Sequence, residues 1–273
     1  MPRPDAPVTE TLTTPDGVTL GYDRQGAGPP LVLLHGSFSD HRSNWAETRP
    51  LLARHLTVHA LARRGRGDTD ATYTHGIEDE ARDVLALIDR IGVPVHLLGH
   101  SHGAQVALAA AAMAPDRIRR LVLYEPPHPD GPKRVLDAEL KEAARQEDWT
   151  SVARAFFTSL LDMPGETFEG LRLSKDWEPM LADARASIGD MQAMARMEWR
   201  PERFAGLSMP VLLQSGSESP ARMFVTDDLA RVLPDARRDT LEGQGHDATL
   251  TAPEAYAASV LRFLLDGPKE RPR

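Results

Sequence analysis

Residues 95–104 of this chain, Val-His-Leu-Leu-Gly99-His100-Ser101-His102-Gly103-Ala, combine a short apolar run with a serine between two glycines. The apolar run predicts a buried strand, and the Ala-rich segment 105–114 that follows predicts a helix. A serine at such a junction, in the pattern Gly-x-Ser-x-Gly, is typical of a nucleophile elbow. The sharp turn needs close packing of the backbone, and Gly99 and Gly103 lack the side chains that would prevent it. We therefore predict that Ser101 is a nucleophile.

The segments around this junction alternate between predicted strands and helices. Strands are predicted at residues 31–34, 56–61, 95–98 and 121–124, and helices at residues 77–91 and 105–114. Such alternation is typical of a parallel sheet that helices cover on both faces. Residues 10–22 alternate apolar and polar side chains around Asp16-Gly17, which predicts an antiparallel hairpin next to this sheet.

Between residues 126 and 208 the strand pattern disappears. Several prolines follow Glu125, and helical periodicity then predicts helices over residues 135–146, 149–161 and 180–197. Strand and helix patterns resume at residues 209–213, 226–233, 237–241 and 253–265. We predict a core formed by residues 1–125 and 209–273, with residues 126–208 inserted as a separate helical unit.

Composition excludes several classes of function. The 32 Lys and Arg residues face 40 Asp and Glu residues, and the net charge of −8 gives no basic field for nucleic acid. The chain has no cysteine, so thiolate nucleophiles and zinc ribbons are excluded. The first residues lack the apolar core of a signal peptide, and no apolar run approaches the roughly 20 residues that span a bilayer. We expect a cytoplasmic protein, monomeric or homodimeric, with no membrane partner.

Two other loops that follow predicted strands contain candidate catalytic groups. In Leu33-Leu34-His35-Gly36-Ser37, the glycine lets the loop turn a backbone N–H toward the nucleophile. We expect the N–H groups of Ser37 and His102 to form an oxyanion hole, with Phe38 as the next choice after Ser37. In Gly243-Gln244-Gly245-His246-Asp247, the glycines allow the imidazole of His246 to reach across the sheet. His246 is therefore the predicted general base.

These motifs together resemble the α/β-hydrolase superfamily over residues 11–265. The resemblance includes the stretch Arg63-Arg64-Gly65-Arg66-Gly67-Asp68-Thr69-Asp70, although many members have Asp where this chain has Ala62. It implies an α/β-hydrolase fold, mostly parallel with helices on both faces, whose inserted helices form a cap over the active site. It also implies that Ser101 forms an acyl-enzyme without a cofactor or metal. The pair His100-x-His102 alone is a weak metal signal, and dehalogenases and epoxide hydrolases of this fold have Asp in place of Ser101.

The acid that orients His246 has two candidates. In most members the acid is an Asp three residues after the glycine of the loop at residues 214–220, and here Ser219 occupies that position. Glu218 is close to it in sequence. Other members place the acid directly after the preceding strand, and Tyr124-Glu125-Pro126-Pro127 resembles that arrangement. Glu125 is the expected acid and Glu218 the alternative.

The resemblance also implies that the cap shapes an apolar pocket. Candidate pocket residues are Phe38, His128, Phe156, Phe157, Met163, Trp177, Met180, Met191, Met194, Met197 and Trp199. The expected reaction is hydrolysis of a small-molecule carboxylic ester or lactone with an apolar part. Carbon–carbon bond hydrolysis, lyase chemistry and cofactor-free haloperoxidase activity use the same residues, and some proteins of this fold only bind a small ligand. The sequence leaves these alternatives open.

Overall fold

One eight-stranded sheet forms the centre of the protein. The structure, a computed structural model, describes residues 6–70 and 75–265, so residues 1–5, 71–74 and 266–273 lie outside it. The strands are β1 (Val8–Thr13), β2 (Thr19–Gln25), β3 (Pro30–Leu34), β4 (Thr57–Leu61), β5 (Val95–His100), β6 (Ile118–Tyr124), β7 (Val211–Gly216) and β8 (Ala236–Leu241). Their order is β1-β2-β4-β3-β5-β6-β7-β8. The pairs β1/β2 and β2/β4 are antiparallel and the remaining pairs are parallel, which confirms the predicted sheet.

Helices cover both faces of this sheet, as predicted. The α-helices of the described residues are α1 (Arg49–Leu52), α2 (Ile77–Ile91), α3 (His102–Met113), α4 (Asp130–Val135), α5 (Ala138–Arg145), α6 (Trp149–Arg154), α7 (Gly165–Arg172), α8 (Trp177–Ala182), α9 (Ala184–Arg196), α10 (Thr226–Val232), α11 (Ala248–Thr251) and α12 (Pro253–Leu265). Successive side chains of a strand point to opposite faces. Accordingly, Leu31 and Leu33 pack in one core cluster with residues of α1 and α12, whereas Val32 and Leu34 pack in another with residues of α2 and α3.

The segment predicted as a cap is helical but differs from the predicted pattern. It contains α4 to α9, and α6 continues as a π-helix over Ala155–Leu160. Helices α4 and α7 were not predicted, and the helix predicted over residues 180–197 is instead two helices, α8 and α9, which meet at Asp183. Periodicity missed this break because apolar side chains recur on both sides of it. A third apolar cluster lies here, formed by cap residues together with Phe38.

No helix within residues 6–70 and 75–265 has the length and apolar character that a membrane crossing needs.

Candidate active site

Ser101 lies at the turn between β5 and α3, in a strained backbone conformation. Its φ is 54° and its ψ is −124°, a region that residues with a side chain rarely adopt. A Cβ on Gly99 would lie 2.3 Å from the carbonyl oxygen of Gly103. A Cβ on Gly103 would lie 2.4 Å from the carbonyl oxygen of Leu34. Both glycines are therefore needed for the turn that the sequence predicted, and strain of this kind is commonly found at functional sites.

The structure brings Glu125 and His246 together. The Nδ1–H of His246 donates to Glu125 Oε2 at 2.5 Å, and the backbone N–H of Gly216 donates to Oε1 at 2.7 Å. Glu125 directly follows β6 and is fully buried, and Gly216 is the last residue of the adjacent strand β7. The carboxylate thus lies between two neighbouring strand ends, where its position is fixed from both sides.

Glu218, the alternative acid, is not brought to His246. It is exposed in the loop after β7, where its backbone N–H donates to the carbonyl oxygen of Gln244 at 2.9 Å. The neighbouring Ser217 bonds in the same way to Leu241. The loop therefore lies along the residues that follow β8, and the His246 ring has Glu125 as its partner.

Glu125 also changes the proton affinity of His246. Burial lowers the pKa of the imidazole, but the hydrogen bond that the ring donates to Glu125 and the negative charge of that carboxylate raise it by more, so the pKa is above its usual value of 6.5. Because Nδ1 donates to Glu125, Nε2 is the nitrogen left to accept a proton. The ring also stacks against Phe224, with centroids 5.5 Å apart.

Two buried side chains hold the backbone of the His246 loop. His100 Nε2 donates to the carbonyl oxygen of His246 at 3.0 Å, and the hydroxyl of Tyr124 donates to that of Gly245. Burial lowers the pKa of His100 well below its usual value. The last residues of β5 and β6 thus anchor the loop that contains His246.

The loop after β3 leaves one backbone donor without an acceptor. The N–H of Gly36 donates to Asn44 Oδ1 at 3.0 Å, and that of Phe38 donates to Ser187 Oγ at 2.8 Å. Within the described residues, the N–H of Ser37 between them has no acceptor. His102 is the first residue of α3, where backbone N–H groups have no partner within the helix. Ser37 and His102 can therefore supply an oxyanion hole, whereas the expectation for Phe38 was wrong because Ser187 occupies its N–H.

A cavity of about 220 Å³ opens beside Ser101. It is lined by Ser37, Ser101, His102, Pro127, His128, Asp130, Gly131, Pro132, Arg134, Phe156, Leu160, Leu161, Asp190, Met191, Met194, Arg222, Met223 and Phe224. The wall is apolar where the cap contributes the π-helix and part of α9. Sequence analysis assigned no role to Asp190, Arg222 or Phe224, because none of them belongs to a recognised motif.

Several of the predicted pocket residues lie elsewhere. His128, Phe156, Met191 and Met194 line the cavity, whereas Phe38, Phe157, Met163, Trp177, Met180, Met197 and Trp199 do not. The ring of Phe38 packs against those of Phe156 and Phe157, with centroids 4.6 and 5.2 Å apart. Trp177 packs edge-on against Phe168. The assignments of Phe38, Phe157 and Trp177 to the pocket were wrong because these rings fill the interior of the cap.

A buried charge cluster borders the cavity on the side of Ser37 and His102. Arg63 Nη1 lies 2.9 Å from Glu80 Oε1, and Arg63 Nη2 lies 2.8 Å from Asp190 Oδ2. Arg66 Nη2 lies 2.5 Å from the same Asp190 oxygen, and His102 Nε2 lies 3.0 Å from Glu80 Oε2. Burial raises the pKa of both carboxyls, but the arginine charges outweigh it and lower both pKa values. Glu80 and Asp190 therefore carry fixed negative charges.

This cluster includes three residues whose ligand atoms could meet at one ion. Single ligand atoms of His75, Glu80 and Asp190 lie within 4.8 Å of one another. Arg63, however, donates to both carboxylates, and Arg66 donates to Asp190. A cation placed here would face two guanidinium groups, so these residues do not fit a metal site.

The chain is similar to known proteins over most of its length. The model of the Alpha/beta hydrolase family matches residues 31–259. A pyrrolizixenacetamide deacetylase of Xenorhabdus hominickii is 36% identical over 267 residues, which cover 90% of this chain and 94% of that protein. A putative carbamate hydrolase, RutD, of a Caulobacter species is 27% identical over 244 residues, 85% of this chain and 90% of its own.

Among solved structures, an alpha/beta hydrolase from Sphaerobacter thermophilus superimposes with a TM-score of 0.81 and 32% identity, covering 93% of this chain and all of the other. The family match spans most of the residues between β3 and α12, including the elbow, Glu125 and His246. The chain belongs to the alpha/beta hydrolase family.

Proposed function

We propose that this hydrolase cleaves a carboxylic ester or lactone through an acyl-enzyme formed on Ser101. The observation that supports this most directly is the contact of 2.5 Å between His246 and the buried carboxylate of Glu125. That contact fixes the tautomer in which Nε2 can accept a proton. The cavity beside Ser101, bordered by the unpaired N–H of Ser37, gives a carbonyl group a place to bind.

The proposed reaction has two halves. The Ser101 hydroxyl attacks the carbonyl carbon while His246 Nε2 takes its proton, and the N–H groups of Ser37 and His102 stabilise the oxyanion. The imidazolium then protonates the leaving alcohol, and Glu125 stabilises the charge of the ring. Water, deprotonated by His246, then attacks the acyl carbon, and the imidazolium returns the proton to Ser101 Oγ as the acid is released.

The cavity favours a small substrate with an apolar part. Phe156, Leu160, Met191 and Met194 form its apolar wall. Methionine side chains adapt to different shapes, which suits a range of acyl groups. A volume of about 220 Å³ limits how much of a substrate it encloses.

Amide hydrolysis is a second candidate, because the relative that is 36% identical is named a deacetylase. The same residues can perform this reaction, with His246 protonating a leaving amine instead of an alcohol. The leaving group alone separates the two candidates, so both belong in one substrate series.

The test is a panel of p-nitrophenyl esters of graded acyl length, aliphatic and aromatic lactones, and N-acetylated aryl amines. We expect turnover of short or medium esters or lactones, its loss in Ser101→Ala, and labelling of the parent but not of that variant by a fluorophosphonate. Ser174→Ala, at an exposed cap serine, is the matched control and should keep full activity. Residual activity of more than a few per cent in Ser101→Ala would refute the acyl-enzyme. Turnover confined to the amides would favour the second candidate.

A further inference from the structure

Cap helix α9 contacts the loop after β3 at two points. Ser187 Oγ accepts the N–H of Phe38 at 2.8 Å, and Asp190 Oδ2 accepts the hydroxyl of Ser37 at 2.6 Å. The two α9 residues are three positions apart and therefore lie on the same face of the helix. Together they fix the loop at Ser37 and directly after it, next to the backbone N–H that has no acceptor.

The second oxyanion residue is connected to the same carboxylate. His102 Nε2 lies 3.6 Å from Asp190 Oδ1 and 3.0 Å from Glu80 Oε2. The side chains of both residues that would supply oxyanion donors thus face Asp190. Ser37 lies in the loop after β3, and His102 is the first residue of α3. Because the two are far apart in sequence, the distance between their N–H groups depends on tertiary contacts.

Arg63 completes the connection from the side of the core. It donates to the carbonyl oxygens of His35 and Gly36 at 2.9 and 3.0 Å, and it also pairs with Asp190. Arg63 therefore holds the loop through its carbonyl oxygens. Asp190, which pairs with Arg63, holds the same loop through the hydroxyl of Ser37.

We propose that Asp190 is a positioning residue for the oxyanion hole, through which the cap sets the placement of the Ser37 and His102 donors. The proposal rests on the proposed function. It makes the docking of α9 on the core a condition for fast acylation, although α9 supplies neither nucleophile nor base.

The surroundings of Asp190 suit this role. The residue is 1% exposed, and Arg63, Arg66 and Ser37 all donate to it, so its carboxylate has little freedom to rotate. Arginine stays protonated at every pH at which His246 titrates, so these contacts persist while the catalytic base changes its charge. Since a donor must lie close to 3 Å from the oxyanion, a small displacement of the loop removes much of its benefit.

The test measures kcat and KM for an ester and for its thionoester, in which sulfur replaces the carbonyl oxygen. Sulfur is larger and accepts hydrogen bonds weakly, so an intact oxyanion hole favours the ester. We expect Asp190→Asn to lower kcat for the ester by about 10- to 100-fold, with a smaller loss for the thionoester and little change in KM. Ser37→Ala removes only the hydroxyl that Asp190 accepts and should shift the ratio of ester to thionoester rates in the same direction.

Asp183→Asn is the matched control. Asp183 is an acidic residue that immediately precedes α9; its charge interacts with Arg66, Asp40, Arg63 and Asp190, but the Ser37 hydroxyl donates to Asp190 and not to Asp183. This variant should keep the parent ratio. If Asp190→Asn does not fold, Ser37→Ala decides the question, because it leaves every charge of the cluster in place.

The proposal is overturned if Ser37→Ala, and Asp190→Asn where it folds, keep the parent ratio, whether both rates are unchanged or fall by the same factor. Either result, with Ser101→Ala inactive, leaves the proposed function intact. Turnover that persists in Ser101→Ala would instead overturn the proposed function and this proposal together.

Discussion

The candidate site contains two buried carboxylates, Glu125 directly after β6 in the core and Asp190 in helix α9. Both are withdrawn from solvent, but their partners differ: Glu125 contacts a histidine, and Asp190 contacts Arg63 and Arg66. A histidine can gain and lose a proton near neutral pH, whereas arginine remains charged. The first arrangement therefore suits proton transfer and the second suits fixed positioning, so the partner determines what each carboxylate can do.

The largest expected effect comes from neutralising the carboxylate on the core side. Glu125→Gln keeps the size of the side chain but loses the charge that stabilises the His246 imidazolium. We expect kcat to fall by about 10³- to 10⁴-fold, measured on the best ester of the panel. The matched control is Glu218→Gln at the exposed alternative acid, for which we expect a change of less than about 2-fold. The reverse ranking would assign the acid to Glu218.

The charge cluster should dominate stability instead. Glu80→Gln leaves Arg63 buried with only one carboxylate partner, which typically costs about 3 to 5 kcal/mol. Glu125→Gln should cost less, about 1 to 3 kcal/mol, because His246 can become neutral and no charge is left unpaired. Urea unfolding of both variants measures the difference in free energy of unfolding. Equal losses would contradict the distinction between the two carboxylates.

The pH profile should depend on the core pair alone. Because Glu125 raises the pKa of His246 and the neutral imidazole is the active form, kcat/KM should rise with pH through an apparent pKa above 6.5. In Glu125→Gln the residual activity should rise at a lower pH, since the charge that favours the imidazolium is gone. Asp190→Asn should keep the parent midpoint. A profile that is flat from acid to alkaline pH would argue against His246 as the base.

The smallest effects are expected at the cavity wall. Met191→Ala or Met194→Ala enlarges the space beside Ser101 and should increase the rate ratio of longer to shorter esters by about 3- to 10-fold. Trp177→Phe is the control, because Trp177 packs against Phe168 inside the cap and should leave this ratio unchanged. The ratios come from kcat/KM across the ester series. A shift in Trp177→Phe as large as in the methionine variants would mean that the cap interior sets specificity.

The sequence by itself determined the parts of this protein that depend on neighbours along the chain. Alternating strand and helix patterns predicted the parallel sheet, because the apolar faces of its strands must be buried, and the helices between the strands cover them. The elbow at Ser101 was predictable because the glycines that its turn requires are two residues away on each side. The tight turn at Asp16-Gly17 and the β1/β2 hairpin were predictable for the same local reason.

Tertiary structure alone decided the contacts between distant segments. Glu125 and His246 are 121 positions apart, and only their contact in the folded protein identifies Glu125 as the partner of the imidazole. Glu218 lies instead in the loop after β7, which runs along the residues after β8. Ser37 and Asp190 are 153 positions apart, and neither hydrophobic periodicity nor spacing indicates their contact. The boundaries of α8 and α9 and the interior position of Trp177 were missed because cap helices pack mostly on one another. A periodic apolar face shows that a helix is buried, but not which surface it is buried against.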